Sequence, residues 1–267
     1  MATITLSALT IYPIKSCRGH AVDRALVTTR GLAQDRLLLI TDADGHFLTQ
    51  REYPKMALIE PTIGEELCTL RAPGMAPLDI PTRTTGAARS VVIWRDECQA
   101  VDQGEAAAAW LSDYLGTAVR LVHMHETFAR PVDPRYRRRT DDQTSFADGF
   151  PFLLISEASL AELNSRLATP LLMDRFRPNL VVNGCEPFAE DRWRQIQIGT
   201  VTFDLVKPCA RCTITTIDQA TGLVGKEPLA TFATFRRAEG GKVLFGQNMV
   251  SAGTGMIAVG DHVFLKE

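Results

Sequence analysis

No apolar run approaches the ~20 residues that a helix needs to cross a bilayer, so no membrane partner is expected. Residues 1–7 carry neither the basic nor the apolar stretch of a secretory leader. Cysteine is sparse: Cys17, Cys68, Cys98, Cys185, Cys209 and Cys212 are scattered through a long chain. A disulfide framework is therefore not expected, and the thiols read as reduced in a cytoplasmic protein. Charge of one sign is lacking too: 29 basic and 31 acidic residues leave −2, so no overall field draws nucleic acid. Neither GxGxxG nor GxxxxGKS/T occurs, which removes the usual nucleotide fingerprints. Lysine supplies only six of the 29 basic residues. The guanidinium forks that remain match carboxylate and phosphate oxygens bidentately.

What is present is an ordinary globular mixture, 267 residues with 45% hydrophobic content, long enough to bury a core without staples. The first hundred residues read as strands: 4–11, a hairpin over 35–50 turning at Asp42 to Gly45, then 56–63, 67–72, 90–95 and 98–102. Asp102 with Glu105 reads as a capping box for a helix over 104–115 that Gly116 closes. A strand at 118–124 precedes a polar, Arg-rich loop at 126–150, a length that is functional when ordered. A strand at 151–155 leads into a helix from Ser156 through Leu160, Leu163 and Leu167. Strands follow at 180–182, 195–206 (a hairpin), 213–217, 242–249 and 256–265, with a turn at 218–222. Strand and helix do not alternate regularly, which predicts a mixed α+β, mostly β fold of barrels with a few helices, not a doubly wound sheet.

Three segments carry candidate chemistry. Lys207 to Thr213 places Cys209 and Cys212 three apart beside Arg211. Neighbouring positive charge favours thiolate, the form that attacks or binds metal. A zinc half-site, a thioredoxin-like dithiol, a thiolate ligand for a soft metal carried by a cofactor, and an inert buried pair all remain open. Zinc wants a second ligand pair, which the spacing does not offer. The dithiol wants a following helix, whereas residues 213–217 are β-branched. Arg177 and Asn179 flank Pro178, and on an extended chain they would point to one side and converge on a polar ligand. A surface ion pair plus a turn amide is the plainer alternative. Lys15 and Ser16 leave a strand into a loop ending at Gly19, a plausible phosphate cradle, to which Arg36 would add a second cation. The run from Arg135 to Arg139 reads as a solvated loop.

Taken together, Tyr12 to Cys17, Gly31 to Arg36, Phe146 to Pro151, Ser156 to Leu160, Phe176 to Asn179 and Cys209 to Gly222 resemble, in order and spacing, proteins with an N-terminal β-barrel domain followed by a MOSC domain (molybdenum cofactor sulfurase C-terminal). The chain is most similar to bacterial relatives of the mitochondrial amidoxime-reducing component. The resemblance implies an N-terminal MOSC β-barrel domain over 1–122 and a MOSC β-barrel domain over 123–267. It implies a molybdenum cofactor, with Cys212 as the protein ligand to Mo. Lys15, Ser16, Arg36, Arg177, Asn179 and Arg211 would contact the pterin and phosphate, and Gly149 could offer a backbone N–H. Where mitochondrial members carry two hydroxyl residues this chain has Gly149 and Phe150, so those side-chain contacts do not transfer.

The implied activity is reduction of N-hydroxylated compounds by oxygen-atom removal at Mo. No four-cysteine ferredoxin segment is seen, so no iron–sulfur cluster of its own is expected. Electrons would come from a separate donor protein of ferredoxin or flavodoxin type. Asp148 and Asp218 are candidate proton handlers, with loop-stabilising hydrogen bonds as the plainer role for both. A non-catalytic carrier of the cofactor, or of sulfur on Cys212, is the rival reading. No lysine is singled out for pyridoxal phosphate.

Overall fold

In the computed structural model, which describes residues 3–82 and 86–266, strand Thr5–Ile11 buries Leu6, Leu9 and Ile11. Apolar residues at that spacing cannot share one face of a regular strand. A register shift between Leu6 and Ala8 turns all three inward. The strand lies in an eight-stranded sheet ordered His20–Val22, Thr5–Ile11, Leu180–Asn183, Phe152–Ser156, Leu244–Ala252, Val201–Ala210, Gln195–Ile198, Val263–Lys266. Two of these strands come from the first 22 residues and six from residues 152–266, so the sheet draws on both sides of position 122. Phe152–Ser156 and Leu180–Asn183 pair in parallel, which requires a crossover, and helix Glu157–Asn164 lies in it.

A second, antiparallel sheet is ordered Leu38–Thr41, Arg120–Met124, Asp96–Asp102, Ala88–Ile93. Helix Glu105–Leu115 buries Ala107, Leu111 and Leu115 in a core shared with Ile14, Leu38 and Leu121. The fold is thus mostly β with three α-helices among the described residues, the third being Leu229–Phe235. None of them is long and apolar enough to cross a membrane.

Four local expectations fail for identifiable reasons. The capping box does not form. Asp102 accepts from the Gly104 N–H at 2.7 Å but binds Arg120 as well, and Glu105 turns to Arg120. Residues 56–63 are not one strand, because Pro54 starts a 3-10 turn over Pro54–Leu58 before strand Glu60–Ile63. Residues 213–217 are not a strand either. Thr215 N and Oγ1 both donate to the Cys212 carbonyl, at 3.1 and 2.9 Å, and Thr216 Oγ1 donates to Thr213 O. Those hydroxyls close a 3-10 turn, Thr213–Thr216, against the β propensity of the side chains. The helix from Ser156 ends at Asn164, a turn before Leu167.

Behind the functional region, Phe176, Phe232 and Phe245 pack ring to ring, with Phe245 centroids 4.6 Å from Phe176 and 4.8 Å from Phe232. This block fixes the chain one residue before Arg177. It depends on strand Leu244–Ala252 passing close to Phe152–Ser156 at Gly246, where φ is +81°. A Cβ at Gly246 would stand 2.7 Å from Ile155 Cγ1 and 2.9 Å from Leu154 O. Gly246→Ala is therefore expected to cost about 2 kcal/mol, from left-handed strain and overpacking. A lowered urea midpoint at unchanged slope checks this, and an unmoved midpoint refutes it.

Candidate functional site

A cavity of about 700 Å³ opens where the end of the first strand, the long loop, residues 176–179 and residues 207–214 meet. Nine basic side chains line it against three acids. Each acid is already paired: Asp96 with Arg130 at 2.7 Å, Asp133 with Arg135 at 2.6 Å, and Asp148 with Lys15 at 2.5 Å. Arg51, Arg95, Arg177, Lys207 and Arg211 line the same cavity with no described carboxylate within 4.0 Å. Such an excess of donors selects an anion.

Lys15 and Ser16 reach the cavity because the chain turns there. Lys15 N–H donates to Leu38 O, Ser16 adopts φ +65°, and Gln50 Nε2 holds the Ser16 carbonyl at 2.7 Å. Lys15 is buried, and burial lowers its pKa; Asp148 pulls it back up without restoring it. For Asp148, enclosure by the cavity raises the pKa, but Lys15, Arg51 and Arg36 outweigh that and hold the carboxyl well below the usual range. Trp94 Nε1 also points at this carboxylate, at 3.4 Å.

Tyr12 is the buried platform for two guanidinium groups, Arg177 at 4.3 Å and Arg36 at 4.6 Å from its ring. Burial pushes its phenol up to about 12, so it stays a neutral donor, to Pro178 O. Arg36 is fixed by Asp35 at 2.6 Å and by Asn179 Oδ1 at 3.0 Å. Arg177 and Asn179 both line the cavity, but the extended-chain geometry expected to bring them there is absent. Arg177 adopts φ +57° and is not extended. Asn179 spends its amide on Arg36, Leu153 N–H and Thr10 O, so it orients Arg36. Arg177 is buried, its pKa lowered by that burial, and its Nη2 has no partner.

The half-buried thiol of Cys212 begins the 3-10 turn and accepts from Arg51 Nη2 at 3.2 Å. Arg51 in turn lies 5.1 Å from the ring of Trp94. Cys209 is tied differently: Arg211 Nη1 donates to it at 3.0 Å while Arg211 Nη2 holds Phe176 O at 2.7 Å. Arg211 Nε is buried without a partner. Gly149 lines the cavity, and a Cβ there would meet nothing within 4 Å, so packing does not demand the glycine.

Asp218 does not line the cavity. Its Oδ1 accepts from Ala220 N, Thr221 N and Thr221 Oγ1, and its Oδ2 pairs with Arg175 at 2.8 Å, which makes it a turn-holding residue. Among the described residues, the one close trio of metal-ligating side chains is half-buried Asp42 with exposed Asp44 and His46, which includes neither cysteine of the site. Sequence reasoning missed Arg51, Trp94 and Arg130. Arg130 spans the long loop, donating to Ser145 O, Ala147 O and Asp148 O.

Residues 3–118 match the MOSC N-terminal beta barrel domain and residues 141–264 the MOSC domain. Among curated proteins, the chain is 39% identical over 98% of its length to mitochondrial amidoxime-reducing component 1 of Homo sapiens, covering 82% of that protein. It is 40% identical to the Mus musculus protein of that name, at 98% and 82% coverage. Mitochondrial amidoxime reducing component 2 of Bos taurus is 36% identical, at 97% and 82%.

Proposed function

The chain belongs to the MOSC family, with the N-terminal beta barrel domain and the MOSC domain in tandem, and from that premise we propose that it is a molybdenum-cofactor-dependent reductase of N-hydroxylated compounds. One juxtaposition carries the reading: a half-buried thiol and five cations without a described carboxylate partner share a single cavity of about 700 Å³. The residues suit a pterin-borne metal with a phosphate tail. Arg177 Nη2 and Arg211 Nε are buried donors awaiting an acceptor, and Cys212 offers the soft ligand. Held by these residues, the cofactor would supply redox chemistry for the overall reaction, in which the N-hydroxyl compound takes up two electrons and two protons and gives the reduced nitrogen compound and water.

The chain's own part is to hold, orient and protonate. Cys212 supplies the thiolate, and Arg51 fixes the direction of its lone pairs. Arg36, Arg177, Arg211 and Ser16 bind the phosphate-bearing end. Lys15 Nζ holds the proton of the Lys15–Asp148 pair, since the carboxylate stays ionised. Electrons come from a separate donor protein.

The test is direct. Purified protein carrying cofactor, given a chemical reductant and an amidoxime, should form the amidine. Sulfur bound stoichiometrically to Cys212 without turnover would instead identify a carrier. The Lys15 role adds a signed expectation. Asp148 raises the Lys15 pKa, so Asp148→Asn should move the alkaline limb of the kcat/KM profile to lower pH. An unmoved limb would remove Lys15 from proton transfer.

A further inference from the structure

Lys207 is a cavity cation to which the cofactor reading gives no role. Strand Val201–Ala210 shifts register between Leu205 and Lys207, and again between Pro208 and Ala210. These irregularities interrupt regular pairing where the strand borders the cavity, and Asn248 Nδ2 holds the Lys207 carbonyl at 3.2 Å. The ammonium lies 4.3 Å from the Tyr136 ring centroid and 5.7 Å from that of Phe150. Those two rings meet edge to face at 5.8 Å and line the cavity from the long loop. Arg36 and Arg177, by contrast, stack on Tyr12.

No described carboxylate pairs with Lys207 within 4.0 Å. Asp133, the acid on the same loop, is already taken by Arg135, Nη2 to Oδ2 at 2.6 Å and Nε to Oδ1 at 3.1 Å. The result is a positioned ammonium beside two aromatic faces on the cavity wall, with no close ion pair among the described residues; it acts on Asp133 only at longer range, beyond the Arg135 that Asp133 binds. Rings of this kind receive a flat organic body, and the cation receives a negative group at its edge.

Resting on the reductase reading, we infer that Lys207, Tyr136 and Phe150 form a substrate subsite for aromatic N-hydroxylated compounds that carry an anionic substituent. The subsite acts on discrimination between substrates, which is read as a ratio of kcat/KM values.

The experiment uses cofactor-loaded protein, benzamidoxime as the neutral probe and 4-carboxybenzamidoxime as the anionic one. Wild type should favour the anionic probe about fivefold in kcat/KM, the scale of one partly exposed ion pair. Lys207→Met should bring the ratio to about one with molybdenum content retained, and Lys207→Arg should keep the preference. No preference in wild type, an unmoved ratio in Lys207→Met, or molybdenum lost from that variant would each overturn the inference, the last by making Lys207 a cofactor residue. If wild type reduces neither probe, the reductase reading fails, and calorimetry of benzamidine and 4-carboxybenzamidine on the loaded protein decides the subsite separately. Tighter binding of the carboxylate to wild type, absent in Lys207→Met, supports it. Equal binding of the two ligands to wild type overturns it.

Discussion

Cys212→Ala is expected to lower reductase turnover by about a thousandfold or more, above the ~10–100-fold that loss of an outer-shell partner of a metal ligand costs. Two thiols line the cavity, and their contacts separate them. Cys209 belongs to the anchoring of Arg211, whose other nitrogen holds the Phe176 carbonyl. Cys212 meets Arg51 and opens the 3-10 turn. Cys209→Ala should accordingly act through Arg211, with weaker retention of the cofactor and a smaller loss of turnover. X-ray absorption should report one sulfur fewer around molybdenum in Cys212→Ala and an unchanged count in Cys209→Ala. Full turnover in Cys212→Ala, or the missing sulfur in Cys209→Ala, would refute the assignment of the ligand.

Many of the strands were legible because alternation and turn residues are local signals, but His20–Val22, Arg24–Thr28 and Leu78–Pro81 were not, and the expected return at 46–50 makes only isolated bridges; the helix after Ser156 began where its cap predicts. The grouping of Lys15, Ser16, Arg36, Arg177 and Arg211 with Cys212 came from the family resemblance, while local spacing left them as separate segments; all six line one cavity. Arg51 was not. It lies 161 positions from Cys212, flanked by Gln50 and Glu52, and nothing in that stretch distinguishes it from a solvated hairpin arginine. Only the packing of the hairpin against residues 212–216 gives it a thiol. The strand expected at 213–217 and the extended chain expected at 177–179 fail for a shared cause. Propensity and side-chain alternation assume a regular backbone, and both segments depart from one: hydroxyls close a turn in the first, and Arg177 enters the left-handed region in the second. The pairing of strand Thr5–Ile11 with Leu180–Asn183 was not legible either, because no local pattern announces a partner so distant in sequence.

Arg177→Met should separate the demands of folding from those of the cofactor by moving them in opposite directions. The guanidinium is buried, its Nη2 has no partner, and burial lowers its pKa below the free value. A cation whose folded pKa lies below its unfolded one binds its proton less tightly when folded, so at neutral pH its charge opposes folding. Methionine keeps the apolar contact with Tyr12 and removes the charge. The cofactor-free protein should therefore gain about 1–3 kcal/mol, as buried ionic groups often do when replaced by apolar ones of similar volume. At this chain length that corresponds to a rise in Tm of roughly 2–4 °C per kcal/mol. Molybdenum occupancy should fall by about tenfold or more, because the lost fork is a donor aimed at the anion. Arg177→Lys, which retains charge without the fork, should recover neither the stability nor the full occupancy. A cofactor-free Arg177→Met protein that melts lower while keeping its molybdenum would show that Arg177 serves packing alone, and the cavity would lose its strongest claim to an anionic ligand.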